Sequence, residues 1–357
     1  MDTTNIIEKT VRNFSDPFSK KKWQTAIINR VESNIEVTVP FPVKKNITEL
    51  TETLLNHLKH TTDSEKHKLE LSIKSKIKKH AVANKSDCIP NIKNIIAVTS
   101  TKGGVGKSTI ASQIAIALQQ AGAHVGLLDA DIYGPNIPNL KGTHQRAKIT
   151  EKTYKPIQQH GISIMSMGYL VDEDTPLMWR GPMATAYLQQ MLFKTEWPKL
   201  DYLIVDLPPG TGDIQLTIAQ KIPLTAAVLV TTPQCLSIKD LEKGLGLLQK
   251  TQTPVLGVVE NMSHFSCPNC KKTSRIFSAT NTQAFIKKHQ IPLLGNLPLD
   301  PLIVNACENQ SPVVVTHPNC NASQAIHNIA YLVATQLAEL PLHTPNLFPK
   351  IVVERLE

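Results

Sequence analysis

In the sequence IIAVTSTKGGVGKST, residues 95–109, an apolar run leads into a glycine-rich loop. The run is typical of a buried strand, and the sequence after the loop predicts a helix. A loop in this position directs its backbone N–H groups toward one point at the helix N-terminus, which favours anion binding. Glycine lets the backbone approach phosphate oxygens closely. The stretch therefore predicts a binding site for a nucleoside triphosphate.

Different residues of the loop are expected to bind the phosphates and the metal ion. Lys107 would reach the terminal phosphates, and the Ser108 hydroxyl would bind Mg²⁺. Thr101 stands where the general P-loop pattern has its first glycine, and a second lysine, Lys102, precedes the glycine pair, so the loop fits the deviant form of the pattern. The predicted nucleotide contacts are Lys102, Gly103, Gly104, Val105, Gly106, Lys107, Ser108 and Thr109.

Carboxylates follow two other apolar runs. The run at 124–128 leads into Asp129 and Asp131, and the run at 202–205 ends at Asp206, as in a Walker-B strand. In an open α/β sheet the carboxyl ends of the strands line the ligand crevice. We expect Asp131 to orient or deprotonate the attacking water, and Asp206 to hold Mg²⁺ directly or through water. Asp129 would be structural or would support Mg²⁺ through water; an aspartate capping a helix in a turn is the alternative.

Runs of strand length alternate with helical patterns along residues 92–340. They lie at 95–99, 124–128, 162–166, 202–206, 226–230 and 255–259, with a seventh near 293–295. This alternation predicts an α/β fold, a doubly wound and mostly parallel sheet of the P-loop NTPase kind.

Residues 1–80 predict a separate, small α+β domain. Alternating apolar residues indicate strands at 34–43 and 69–77. Helical spacing from Leu50 to Leu58 indicates a helix between them, which Thr48 could cap. A helix near 3–14 and a strand near 24–31 complete an α-β-β-α-β order, which we interpret as a docking or regulatory module. Residues 81–91 are the predicted linker, and 341–357 a C-terminal tail.

Composition and charge narrow the classes of protein. With 41% hydrophobic and 19% charged residues the chain is typical of globular proteins. No signal peptide is expected at the N-terminus, and no apolar run approaches the roughly 20 residues that span a membrane. Six cysteines without an export signal predict reduced thiols and a cytoplasmic location. The net charge is +9, and residues 1–90 hold 16 Lys/Arg against 11 Asp/Glu; because these are interleaved, a solvated basic face is favoured over a nucleic-acid surface.

Cys267 and Cys270 form a C-x-x-C pair. Two thiolates at this spacing can grip one soft metal centre. Iron–sulfur clusters and structural zinc both require four ligands, so the pair supplies half of a site. A second copy of the chain would complete the site across a two-fold dimer. Alternatively, Cys307 and Cys320 complete it within one chain, or the pair is a redox couple.

Together, the motifs resemble the Mrp/ApbC family. They are Lys102–Thr109, Asp129–Asn136, Trp179–Pro182, Asp206–Asp213, Thr231–Gln234, Glu260–Met262 and Cys267 with Cys270. Members of that family are P-loop ATPases that assemble or carry 4Fe–4S clusters. The resemblance implies slow ATP hydrolysis by a homodimer, with ATP, Mg²⁺ and a 4Fe–4S cluster as cofactors. It also implies apo iron–sulfur proteins and cluster scaffold proteins as partners, and no membrane.

The resemblance further implies roles for single residues. Lys102 would reach the nucleotide of the partner subunit, Asn261 would contact adenine, and Cys267 and Cys270 would bind the bridging cluster. Asp131 would lie in switch I and Asp206 in switch II.

Two residues depart from the family pattern, and one feature extends the resemblance. Thr101 stands where glycine or alanine is often found, and Cys235 where an acid is usual. Asp16-Pro17, before the first strand, resembles the MIP18-like domain that is often fused to iron–sulfur carriers.

The residues leave two other functions open. A ParA/MinD-type positioning ATPase shares the Lys102/Lys107 loop, but a MinD-like protein needs an amphipathic C-terminal helix, against which Pro345 and Pro349 argue. The second alternative is an ATPase with structural zinc at the cysteine pair, because zinc and iron–sulfur clusters accept the same thiolates. Arg180 is a candidate either for a phosphate contact or for a surface or interface residue.

Overall fold

The N-terminal part of the chain forms a three-stranded sheet with two helices. The computed structural model describes residues 3–31, 33–61, 69–83, 88–132, 134–142, 145–150, 152–171, 181–267, 270, 272–277 and 280–343. The elements of this first unit are α1 (Thr3–Asn13), β1 (Ile27–Val31), β2 (Asn34–Val39), α2 (Ile47–Thr61) and β3 (Glu70–Ser75). Strand β2 lies in the middle, antiparallel to β1 and parallel to β3.

The element order of this unit matches the α-β-β-α-β prediction, with two corrections. Strand β2 ends at Val39 and not at residue 43, because Pro40 and Pro42 follow and a proline cannot donate to the ladder. Helix α2 begins at Ile47, so Thr48 lies in its first turn and does not cap it.

The larger unit is built on an eight-stranded sheet. Its strands, in chain order, are β4 (Ile92–Thr99), β5 (Val125–Asp129), β6 (Ile157–Gln159), β7 (Ile162–Met165), β8 (Leu200–Asp206), β9 (Ala226–Thr231), β10 (Val255–Glu260) and, after the separate hairpin of β11 (Phe265–Ser266) and β12 (Thr273–Ser274), β13 (Leu293–Asn296). The strands lie side by side in the order β13-β10-β9-β4-β8-β5-β7-β6.

Helices connect these strands. They are α3 (Lys107–Gln120), α4 (Ile137–Lys141), α5 (Gly181–Lys194), α6 (Asp213–Lys221), α7 (Cys235–Lys250), α8 (Thr280–His289), α9 (Pro301–Glu308), α10 (Val313–Thr316) and α11 (Asn321–Leu337). A short 3₁₀ turn covers Met167–Tyr169. None of the described helices is long and apolar enough to cross a membrane.

The predicted α/β class, with a mostly parallel sheet, is confirmed. Every residue of β8 and β9 is buried, as expected for parallel strands that are covered on both faces. The exception to the parallel pairing is β6, which pairs antiparallel with β7 at the sheet edge. The sequence did not predict β6, because three residues are too few to show a periodicity.

Helix α11 joins the two units. Tyr331, on this helix, donates its hydroxyl to the buried carboxylate of Asp16, which also accepts from Trp23 Nε1 at 3.1 Å. The backbone N–H of Lys44 donates to the carbonyl of Ala121 at the end of α3 (3.0 Å). The small unit therefore packs directly on α11 and on the end of α3, the helix that follows the glycine loop.

The described part of the predicted linker is held against the larger unit. Ala81 N donates to Pro341 O (2.9 Å), and Ala83 N donates to Leu224 O (2.8 Å). These two backbone contacts tie residues 81–83 to the larger unit.

Candidate functional site

The glycine loop lies between β4 and α3, at the carboxyl edge of the sheet. Gly104 and Gly106 have φ angles of +77° and +83°, a region that favours glycine. A Cβ at Gly106 would lie 2.4 Å from Nδ2 of Asn261, so a larger residue would not fit. The loop thus places backbone N–H groups at the start of α3, where an anion is stabilised.

A cavity of about 510 Å³ opens over this loop, a size typical of small-molecule sites. Seven of the predicted nucleotide contacts line it, together with Asp131: Lys102, Gly103, Gly104, Gly106, Lys107, Ser108 and Thr109. The eighth predicted contact, Val105, has a buried side chain. The opposite wall comes from α4, α9 and the residues next to them: Asn136, Asn139, Leu140, Cys307, Glu308 and Gln310. Asn136 ends the Asp129–Asn136 motif, but sequence reasoning missed the rest of this wall, because those residues belong to no phosphate-binding motif.

Lys107 and Asp206 form a buried ion pair beside the cavity. Lys107 Nζ lies 2.6 Å from Asp206 Oδ1, and the two side chains are 6% and 0% exposed. Burial raises the pKa of Asp206, while the charge of Lys107 acts in the opposite direction. Among the described residues, the second oxygen, Oδ2, is buried without a hydrogen-bond partner. Mg²⁺ prefers oxygen ligands, so this oxygen and the Ser108 hydroxyl fit a magnesium ion.

Asp129 and Asp131 lie in different surroundings. Asp129 is fully buried and accepts hydrogen bonds from Asp131 N (3.1 Å), Ile137 N (3.2 Å) and Ser166 Oγ (2.9 Å). Burial, followed by the charge of Asp206, raises the pKa of Asp129. Asp131 lines the cavity, and burial raises its pKa as well. The contacts of Asp129 favour the structural one of its two predicted roles.

The first residues of the loop pack on α7. Lys102 Nζ lies 3.5 Å from Asp240 Oδ2 on that helix. At Gly244, also on α7, an added Cβ would lie 2.6 Å from Cγ2 of Thr101. Gly244 therefore leaves room for the methyl group of Thr101, the residue at which the loop departs from the family pattern.

Asn261 connects the loop to the end of β10. Its Nδ2 donates to the carbonyl of Val105 at 2.9 Å, and this contact is buried. The side chain of Asn261 is therefore bonded to the phosphate loop. Its predicted contact with adenine stays a prediction.

The cysteine pair lies on the hairpin of β11 and β12. Cys267 is half-buried and its N–H donates to Lys272 O (3.0 Å), whereas Cys270 is exposed. Among the described residues, which include both cysteines, no group of three or more His, Cys, Asp or Glu is placed to hold a metal ion.

In this structure, Cys307 and Cys320 therefore do not complete a metal site with Cys267 and Cys270. Cys307 Sγ lies 3.7 Å from Thr109 Oγ1 beside the nucleotide cavity. Cys320 Sγ accepts from Ser323 N (3.4 Å) at the start of α11. Both sulfur atoms thus have contacts elsewhere in the fold.

Some of the predicted features fall outside the described part of the chain. Trp179 and Arg180 lie there, as do Pro345 and Pro349. The side chain of Cys235 is also outside the described structure.

Comparison with known proteins places the chain in a family. The family model for the NUBPL iron-transfer P-loop NTPase, of ParA type, matches residues 91–334. An iron–sulfur cluster carrier protein of Haemophilus influenzae is 39% identical over 344 residues, which cover 94% of this chain and 92% of that protein.

Two solved structures are similar to this chain in fold. The nucleotide-binding protein of Archaeoglobus fulgidus, determined in complex with ADP, is 35% identical, with a TM-score of 0.56 over 62% of this chain and 87% of that one. The cell division ATPase MinD of Pyrococcus furiosus is 22% identical, with a TM-score of 0.53 over 68% of this chain and 98% of that one, and it shows the likeness of the fold alone. From the family model and the Haemophilus relative together, the chain belongs to the NUBPL family of iron-transfer P-loop NTPases.

Proposed function

We propose that this chain is an ATPase that carries a 4Fe–4S cluster, held between two copies of the chain by Cys267 and Cys270. The cluster is cargo, which the protein delivers to apo-proteins. The Haemophilus influenzae relative, an iron–sulfur cluster carrier protein, supports this cargo, because the two chains align over almost their whole length.

One observation carries the proposal: the nucleotide loop and the cysteine hairpin are joined by a short path. Asn261 donates to Val105 O in the loop, and Cys267 follows only a few residues later. Between them, Ser263 N donates to Leu297 O (2.9 Å), which anchors the segment at the sheet edge. A shift of the loop on nucleotide binding would therefore reach the hairpin through one bonded side chain.

The nucleotide half supplies binding and electrostatic stabilisation. Lys107 would leave Asp206 for the terminal phosphates, and Asp131 would orient the attacking water. Asp206 and Ser108 would hold Mg²⁺, which supplies positive charge to the phosphate oxygens. Lys102 would exchange its contact with Asp240 for the partner's nucleotide.

The cluster half requires two chains. A 4Fe–4S cluster is usually bound by four thiolates, and one hairpin supplies two. A two-fold axis through the cluster would supply the others. Ile276, just after β12, is 55% exposed, and a second copy would cover this apolar side chain.

Anaerobic reconstitution with iron and sulfide tests this proposal. We expect about four irons and four sulfides per dimer by metal and sulfide analysis, with the dimer mass by size exclusion. Cys270→Ala should lose the cluster while still binding ATP. Cys320→Ala is the matched control. Cys320 Sγ contacts the start of α11 and not the cysteine hairpin, so this variant should keep the cluster.

Three results would contradict the proposal. One zinc per site would indicate an ATPase with structural zinc. A full cluster in Cys270→Ala would show that other residues bind the cluster. No metal at all would leave a P-loop ATPase with another role, such as positioning.

A further inference from the structure

Ser166 belongs to no motif. Its hydroxyl contacts Asp129, one of the carboxylates at the carboxyl edge of the sheet. Ser166 follows β7 directly and is fully buried. Its hydroxyl donates to Asp129 Oδ2 (2.9 Å) and accepts from Gly168 N (3.2 Å). The hydroxyl thus has one fixed donor direction, and this direction points at Asp129.

Asp129 in turn holds both ends of the loop that carries Asp131. Its Oδ1 accepts from Asp131 N (3.1 Å), and its Oδ2 accepts from Ile137 N (3.2 Å). Asp131 lies between this clamp and the nucleotide cavity, which it lines. A rotation of the Asp129 carboxylate would therefore break the contact at one end of the loop.

Ser166 and Asp206 lie on opposite sides of Asp129. Strand β5 is between β7 and β8, and Asp129 is in register with Asp206 on β8. The bond from Ser166 orients the carboxylate of Asp129 toward β7. Among the described residues, Asp206 Oδ2 is buried without a hydrogen-bond partner, so it is available to a metal ion.

We propose that Ser166 is a positioning residue for ATP hydrolysis, which acts through Asp129 to hold Asp131 at the nucleotide cavity. This inference rests on the proposed ATPase function. Ser166 is not among the residues that line the cavity, so its effect should fall on turnover and not on nucleotide affinity.

The test compares kcat for ATP with the dissociation constant for ATP. Ser166→Ala removes a hydrogen bond to a carboxylate, and we expect kcat to fall about tenfold while the dissociation constant changes less than about twofold. Ser163→Ala is the matched control on the same strand: Ser163 is buried and accepts from Gln158 Nε2 (2.8 Å), away from the site. It should keep the wild-type kcat.

A second variant and a double-mutant cycle test the role of Ser166 independently of the alanine variant. Ser166→Cys keeps the volume but offers only a weak donor, so it should show the same loss of kcat even if the alanine variant folds poorly. In an Asp129→Asn background, Ser166→Ala should change kcat less than about twofold, because the two residues act in series.

Three outcomes would overturn the inference. These are a wild-type kcat in both Ser166 variants, independent and multiplicative effects of the two substitutions, or a loss of ATP affinity in parallel with kcat. If the wild-type chain itself hydrolysed no ATP, the proposed ATPase function would fail first, and the inference with it.

Discussion

The ammonium group of Lys107 lies 2.6 Å from Oδ1 of Asp206, and both side chains are buried. Each residue is thereby neutralised by the other. A phosphate would take the place of Asp206 beside the lysine, and Mg²⁺ the place of Lys107 beside the carboxylate. Because removing one partner from a buried ion pair is costly, the nucleotide and the metal are expected to enter the site together.

Replacing Lys107 by alanine should abolish ATP binding without unfolding the protein at neutral pH. The variant leaves the buried Asp206 without its cation, so the free energy of unfolding should fall by about 3 kcal/mol. The fall should be smaller at low pH, where Asp206 gains a proton and its charge disappears. ATP titration, with urea unfolding repeated as the pH is lowered from 8, measures both effects.

Lys288→Ala is the control for this prediction. Lys288 forms an exposed pair with Glu242 at 2.7 Å, so its loss should change the unfolding free energy by less than about 1 kcal/mol. Unchanged ATP hydrolysis in Lys107→Ala would refute the assignment of the loop.

The contact between Thr101 and Gly244 predicts a compensating pair of substitutions. Gly244→Ala adds a Cβ at 2.6 Å from the Thr101 methyl, and we expect a loss of about 1–3 kcal/mol with weakened ATP binding. Thr101→Ala removes that methyl, so the double variant should recover both. Calorimetric ATP titration and thermal unfolding of the single and double variants measure the coupling.

Gly246→Ala provides a matched control on the same helix. An added Cβ at Gly246 meets nothing within 4 Å, so alanine should stabilise α7 by up to about 1 kcal/mol. Equal losses in Gly244→Ala with and without Thr101→Ala would show that the two residues are not coupled.

The hydrogen bond between Tyr331 and Asp16 predicts that the small unit depends on α11. Tyr331→Phe removes a hydrogen bond to a buried carboxylate, and we expect the free energy of unfolding to fall by about 1.5–3 kcal/mol. Limited proteolysis within residues 81–91 should become faster. In contrast, Tyr202→Phe should be neutral or stabilising, because the Tyr202 hydroxyl is buried without a partner among the described residues. Equal stability of the two variants would contradict the interpretation.

His327 predicts a loss of stability in acid. This side chain is 9% exposed on α11, and burial, with a smaller contribution from the charge of Lys45, lowers its pKa to about 4. Between about pH 6.5 and pH 4 the unfolded chain binds a proton that the folded chain does not, so stability falls as the pH decreases through this range. Solvent screening reduces the effect, which we expect to be about 1 kcal/mol between pH 7.5 and pH 5.

Urea unfolding at these two pH values measures the loss. His327→Gln cannot take up the proton and should show a smaller decrease in stability toward pH 5. His317→Gln, at an exposed position after α10, should retain the wild-type decrease. A decrease that is identical in all three proteins would assign the acid sensitivity to other groups.

Much of the fold was predictable from local pattern. The strand, glycine loop and helix at residues 95–109 were visible because each depends on neighbours a few positions apart. The same holds for Asp206 at the end of a buried strand and for the element order of residues 1–80. Strand β6 was not predicted, because a three-residue strand shows no periodicity. The end of β2 was predicted too late, because Pro40 and Pro42 end that strand.

The residue types at the strand ends and in the glycine loop could be read from the sequence, because the chemistry of phosphate and metal binding requires them there. Which of these residues contact one another depends on the folded chain. Lys107 and Asp206 are 99 residues apart, Asn261 and Val105 are 156 apart, and Tyr331 and Asp16 are 315 apart. Local periodicity carries no information on such pairs, because they form only when the strand order of the sheet and the packing of α11 bring distant segments together.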